Sequence, residues 1–155
     1  MNIRPRSEQD ARDVVGWIDD EAALYLFSGS RLAWPLTAEQ LQSMSATEGL
    51  AASVVVTPTG DLVAHFDLTI DGGVARLGRV VVNPALRGRG LASAVVALAC
   101  TEAQRLGAAV VRLNVITANE PAIRAYTRAG FVAVEGESSR PGVTVMERSV
   151  ISVAP

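Results

Sequence analysis

A single cysteine, Cys100, and a single histidine, His65, occur in this chain of 155 residues. One thiol cannot close an intrachain disulfide, and one of each cannot build a Cys/His zinc site, so no metal is expected. Aromatic residues are scarce at 5%, which leaves a core of small aliphatics, chiefly Ala and Val. The formal net charge is only −2. A general nucleic-acid binder needs a basic face to meet phosphates, so that class is set aside, although a local basic mouth stays open. The longest apolar stretch, Leu91 to Cys100, falls far short of the ~20 residues that a membrane-spanning helix needs. No charged n-region with an apolar h-region opens the chain, and a cytoplasmic protein is expected. Internal repeats and low-complexity tracts are absent too.

What the chain does have is a periodic apolar pattern. Apolar residues make up 49% and charged residues 19%, a globular balance rather than a disordered one. The length suits one domain over residues 1–155 with a sizeable core. Ile3 to Arg6 reads as a strand, and Ser7 with Asp10 resembles a capping box for a helix turning Ala11, Val14, Val15 and Ile18 inward. A short helix is expected from Ala22 to Phe27, ended by Ser28-Gly29-Ser30, and Thr37 with Gln40 boxes a third helix reaching about Ser45. Leu50 to Val56, Leu62 to Ile70 and Val74 to Val82 read as three hairpin-linked strands, with turns at Pro58 to Asp61 and Asp71 to Gly73. Helix, strand, helix and two last strands complete the chain. Those strands are Phe131 to Val134 and Val143 to Arg148, joined by a polar Ser/Arg/Pro/Gly loop. The fold class is α+β, a mixed and mostly antiparallel sheet flanked by helices.

Chemistry concentrates after the third hairpin strand. Arg87-Gly88-Arg89-Gly90-Leu91-Ala92 joins the strand ending in Val80-Val81-Val82 to a helix from Leu91 to Leu106. A strand, a glycine turn and a helix start gather unpaired backbone N–H groups at the positive end of a helix dipole, a place suited to phosphate. Gly88 and Gly90 let the backbone approach an anion, and Arg87 and Arg89 add planar cationic donors. By itself such a turn is equally a helix start with two solvated arginines. A second apolar run, Ala109 to Ile116, leads into Asn119-Glu120-Pro121-Ala122-Ile123-Arg124-Ala125-Tyr126 and then Gly130-Phe131.

These two segments, in this order and spacing, resemble the GNAT N-acetyltransferase superfamily. The resemblance is closest over Leu77 to Val134. It implies acetyl-coenzyme A as acyl-donor cosubstrate, with the pyrophosphate wrapped by Arg87, Gly88, Arg89, Gly90, Leu91, Ala92 and Ser93. Ala92 stands where many members have glycine, a variation the family pattern permits. The resemblance further implies that Val80, Val81 and Val82 border the acetyl and pantetheine portion through their backbone. Asn119 would contact the cofactor arm, and Tyr126 would sit near the sulfur as general acid. Read without the family, the three valines suit a strand buried on both faces, Ser93 an ordinary first-turn serine, Asn119 a helix N-cap, and Tyr126 a core aromatic beside Phe131. A homodimer through the C-terminal strands is a further implication, and the acceptor would be a small-molecule amine or a protein N-terminus or lysine.

An amine near pKa 10.4 is mostly protonated at neutral pH and must lose that proton before attacking a thioester. A developing oxyanion then needs a donor, and a leaving thiolate benefits from a proton. The base is harder to find. In one family branch an acid lies five residues before the asparagine, and Asn114 occupies that place here. His65 and Asp67, two apart on a strand and so on one face, are candidate bases, with solvated or mutually satisfying side chains as the alternative. Glu120 and the Asp19-Asp20-Glu21 cluster are others, the latter beside a loop that the resemblance assigns to the acceptor pocket. Trp34 either lines that pocket or anchors its loop, and Cys100 reads as a small buried hydrophobe. Two rival functions make different demands on these residues. A dinucleotide-binding oxidoreductase would need a third glycine where Ser93 stands and an acid where Asn114 stands. A non-catalytic acetyl-CoA or CoA sensor would share the cofactor site but has no use for a phenol at sulfur.

Overall fold

A computed structural model describes residues 1–135 and 140–151 of the chain. Its strands are β1 (Asn2–Pro5), β2 (Ala51–Val56), β3 (Leu62–Asp71), β4 (Val74–Val82), β5 (Val110–Ile116), β6 (Val132–Ala133) and β7 (Val143–Ser149). Its helices are α1 (Glu8–Val15), α2 (Glu21–Ser28), α3 (Ala38–Glu48), α4 (Leu91–Arg105) and α5 (Glu120–Arg128), with a 3-10 turn at Pro84–Leu86. The strands form one mixed sheet in the order β1-β2-β3-β4-β5-β7-β6. β1 and β2 are antiparallel, as are β5 and β7, whereas β4 and β5 run parallel. The expected α+β class holds. Residues 136–139, in the expected polar loop before β7, lie outside the described residues. Among the described residues no helix is long and apolar enough to cross a membrane.

The chain divides into two compact units. The first comprises Met1–Asp67 and Gly78–Leu91. Its helical core packs Ala11, Val14 and Ile18 against Leu24, Phe27, Leu36 and Leu41. Each fully buried Leu or Phe contributes about 1.5–3 kcal/mol, an upper figure because unfolded chains already bury some apolar surface. The Ser7–Asp10 capping box forms in full, with Asp10 standing where Glu is commoner. The Thr37–Gln40 box does not. Thr37 accepts from the Gln40 backbone, but the Gln40 side chain turns away to Ala33 N and Pro35 O. Asp20, expected to interrupt the pattern, instead caps α2 by accepting from Ala23 N.

The second unit comprises Leu68–Leu77 and Ala92–Pro155. On α4, Val95, Val96, Ala99 and Ala103 are buried at helical spacing. On β5, Val111, Leu113 and Val115 are buried in alternation, while Asn114 between them is exposed. Phe131 and Met146 are buried in the same unit, as is Cys100, whose thiol pKa burial raises.

Candidate active site

In the first unit β4 ends at Val82, and Asn83 anchors the turn beyond it. The Asn83 backbone N–H donates to Val63 O at 2.8 Å, its amide nitrogen donates to Leu62 O at 3.0 Å, and its Oδ1 accepts from Ala85 N at 3.0 Å. The 3-10 turn is thereby tied to β3, and Arg87 to Gly90 emerge exposed. Gly88 has φ +81° and Gly90 φ +70°, a left-handed conformation that glycine adopts without penalty. A Cβ at either position would meet nothing within 4 Å. The glycines therefore supply conformation and open access rather than internal packing.

The helix that starts here differs from the other four. α1, α2, α3 and α5 begin with capping side chains from Ser7, Asp20, Thr37 and Asn119. α4 is preceded by Gly90, which has no side chain to offer. The first-turn N–H groups at Leu91, Ala92 and Ser93 point out of the helix start without an intrahelical acceptor. Among the described residues the guanidinium groups of Arg87 and Arg89 have no partner either. Open donors, a helix dipole and two uncommitted cations fit a doubly charged pyrophosphate.

β4 itself departs from expectation. Its ladder with β5 pairs Val74 to Leu77 with Val110 to Leu113 and stops there, although β4 runs on to Val82. Val80, Val81 and Val82 are half-buried. The expectation of a strand buried on both faces is corrected, because all three valines keep part of their surface exposed. The end of the β5 ladder before them is a separate matter, which leaves the backbone on that edge unpaired by β5.

His65 and Asp67 are wholly buried, at 0% and 1% exposed. Arg6 Nη1 lies 3.2 Å from His65 Nε2 and can only donate, so Nε2 accepts and Nδ1 carries the proton. That Nδ1 donates to Arg79 O at 2.7 Å. Burial lowers the His65 pKa to about 4, against smaller opposing effects of the Arg79 hydrogen bond and Asp67. Asp67 receives Arg79 Nε and Nη2 at 2.5 and 2.7 Å. Neither side chain presents a free lone pair to solvent, so direct base action by either would first require breaking these contacts. Arg79, Arg6, Gly78 and Asn83 escaped the sequence reading. The one available signal was Gly78, since a glycine inside a strand marks a bend or a close approach.

In the second unit Asn119 caps α5, its Oδ1 accepting from Ala122 N at 3.4 Å. The amide nitrogen keeps two donors with no partner among the described residues. Tyr126 packs against Phe131 with ring centroids 5.9 Å apart and planes tilted by 59°. Its hydroxyl has no hydrogen-bond partner among the described residues, yet it is not sealed from solvent. Burial of the phenol pushes its pKa up to about 12. Glu120 is exposed and faces Arg124 at 3.9 Å.

A model of the acetyltransferase (GNAT) family matches residues 14–131. Solved structures with the same fold include spermidine N-acetyltransferase from Vibrio cholerae in complex with CoA and spermine, at 16% identity and TM-score 0.74, covering 96% of this chain and 94% of that one. Another is aminoglycoside acetyltransferase AAC(6')-Ib in complex with coenzyme A, at 19% identity and TM-score 0.75, with 96% and 94% covered. A third is the GNAT domain of S. lividans PAT, at 20% identity and TM-score 0.73, with 95% and 89% covered.

Proposed function

Because this chain belongs to the GNAT acetyltransferase family, we propose that it transfers an acetyl group from acetyl-CoA to a primary amine by direct attack in a ternary complex. The observation that carries the reading is the start of α4, among the described residues the one helix entered through a left-handed glycine instead of a capping side chain, beside two arginines whose guanidinium groups have no partner among those residues. Arg87 to Ser93 hold the pyrophosphate there, and the Nδ2 donors of Asn119 hold the pantetheine arm. Acetyl-CoA supplies the activated acyl group, a thioester whose carbonyl carbon bonds to the amine nitrogen as its C–S bond breaks.

The residues of this chain do the rest. Backbone N–H groups among Val80 to Val82 donate to the thioester oxygen as charge develops on it. Tyr126 gives its phenolic proton, for which no acceptor among the described residues competes, to the departing sulfur, and the proton shed by the newly bonded nitrogen restores the phenol through water. A phenol pushed up to about 12 carries its proton at neutral pH. The acceptor sheds its ammonium proton to water, since His65 and Asp67 are engaged with Arg6 and Arg79. Acceptors of the kind named for the similar structures, polyamines and aminoglycosides, join protein N-termini and lysines as the class to screen.

The test is calorimetric titration with acetyl-CoA, CoA and NADH, followed by free-thiol release with a panel of amines. Binding of both CoA species but not NADH, with thiol release by at least one amine, is expected. CoA binding with no release from any amine would favour a sensor. Absence of CoA binding would refute the reading altogether.

A further inference from the structure

β4 holds one residue in a backbone state that strands rarely contain. Arg79 has φ +48°, the left-handed region, where a residue bearing a Cβ is strained. Such residues persist only where the surroundings over-determine them, and three contacts do so here. The Arg79 guanidinium forks onto both oxygens of Asp67. Its carbonyl accepts from His65 Nδ1. Gly78, next in line, leaves room for the carboxylate, since a Cβ there would stand 3.2 Å from Asp67 Oδ1. His65 is held in turn by Arg6, whose Nη2 donates to Ser45 Oγ at 3.0 Å and to Leu41 O at 3.4 Å. The Phe27 ring tilts against the imidazole with centroids 5.9 Å apart.

The consequence lies in the next peptide bond. The carbonyl of Arg79 and the N–H of Val80 belong to one planar unit, and in a trans peptide they point in opposite directions. Fixing the carbonyl on His65 therefore fixes the Val80 N–H to point away from His65. We propose that His65, with the Asp67–Arg79 pair, is the positioning device for the backbone donor at Val80 that meets the thioester oxygen. This rests on the acyl-transfer reading above. It gives the two buried strand residues a task that needs neither an exposed lone pair nor a proton exchanged with substrate. Asp67 sets the Arg79 turn, His65 sets the peptide plane, and Arg6 keeps the imidazole in the tautomer that can donate.

Three variants and one measurement on the unaltered protein test the idea. His65→Leu removes the donor, and Asp67→Asn removes the charge that holds Arg79. Each should lower kcat by about ten- to a hundredfold, the scale of a misaimed oxyanion donor, while the acetyl-CoA Kd stays within about twofold. His65→Asn places an amide donor near the position of Nδ1 and should recover most of the loss, which a merely space-filling role would not predict. In 15N NMR without ligand, the Val80 amide signal should move in His65→Leu and Asp67→Asn and return towards its original position in His65→Asn. Nitrogen correlation spectra of the unaltered protein should show His65 neutral and protonated at Nδ1 at pH 7. A His65 protonated at Nε2, or an unmoved Val80 amide with unchanged kcat in either disruptive variant, overturns the proposal. The NMR arms need no turnover, so failure of acyl transfer itself is seen separately, as absence of CoA binding or thiol release by the unaltered protein. If the disruptive variants do not fold, the tautomer alone decides.

Discussion

Tyr126→Phe isolates one oxygen atom, and the structure indicates what its removal does and does not touch. Phenylalanine keeps the ring, so the contact with Phe131, at 5.9 Å between centroids, and its share of about 0.5–1.5 kcal/mol are retained. The hydroxyl has no hydrogen-bond partner among the described residues, so its loss orphans no buried group. Stability should therefore change by less than about 0.5 kcal/mol, below about 2 °C in Tm for a chain of this size. Activity should behave differently. Loss of a positioned acid is worth about ten- to a thousandfold in kcat, or about 1.4–4 kcal/mol of barrier. The assay is free-thiol release under saturating acetyl-CoA and a confirmed amine, paired with calorimetry for the CoA Kd and a thermal melt. Because the phenol is pushed up to about 12, the unaltered enzyme should show no loss of rate from Tyr126 ionisation between pH 6 and 9. A kcat within about twofold of the original would refute the acid role. A Tm drop of many degrees would refute the premise that the hydroxyl is unpartnered.

Gly90→Val should raise the acetyl-CoA Kd at least about tenfold, because φ +70° disfavours a β-branched residue and the added methyls face the approach of the anion; an unaltered Kd would remove the pyrophosphate assignment. His65 makes stability pH-dependent in the acid direction. Its folded pKa is depressed to about 4 from 6.5, so its contribution is present above 6.5 and is lost as pH falls towards 4, by about 2 kcal/mol between pH 7.5 and 5. Urea midpoints across that range should fall less steeply for His65→Asn than for the unaltered protein, and equal slopes would refute the assignment.

Local signals carried most of the fold into the sequence. Ser7 and Asp10 announce α1 because the capping interactions span only three residues, and Gly29 ends α2 because φ +63° requires what glycine alone adopts cheaply. The glycine turn before α4 was legible for the same reason, since its glycines and cations are consecutive. The site around His65 was not. Its two ring nitrogens are satisfied by Arg6 and Arg79, 59 and 14 residues away, and no periodicity records which strand face meets which distant arginine. The valine run misled in a related way. Val-Val-Val has the composition of a doubly covered strand, but coverage depends on what packs on each face, and Val81 is only partly buried against the helical core. Gln40 shows the limit even of local motifs, because its amide is drawn to Pro35 and Ala33 by a loop that the capping pattern does not encode.

Among the described residues α1, α2, α3 and α5 each begin at a side-chain oxygen that accepts from the first turn, and α4 does not. Without a ligand, the protein keeps open donors and two neighbouring like charges at one point, a local deficit that the rest of the fold must tolerate. An anion bound there adds stability by mass action, about 2.7 kcal/mol when its concentration is a hundred times Kd. With the cosubstrate bound there as proposed, the same opening makes the protein's stability a gauge of it. Where acetyl-CoA is plentiful the chain is harder to unfold and to proteolyse, and where it is depleted the same molecules spend more time within reach of degradation.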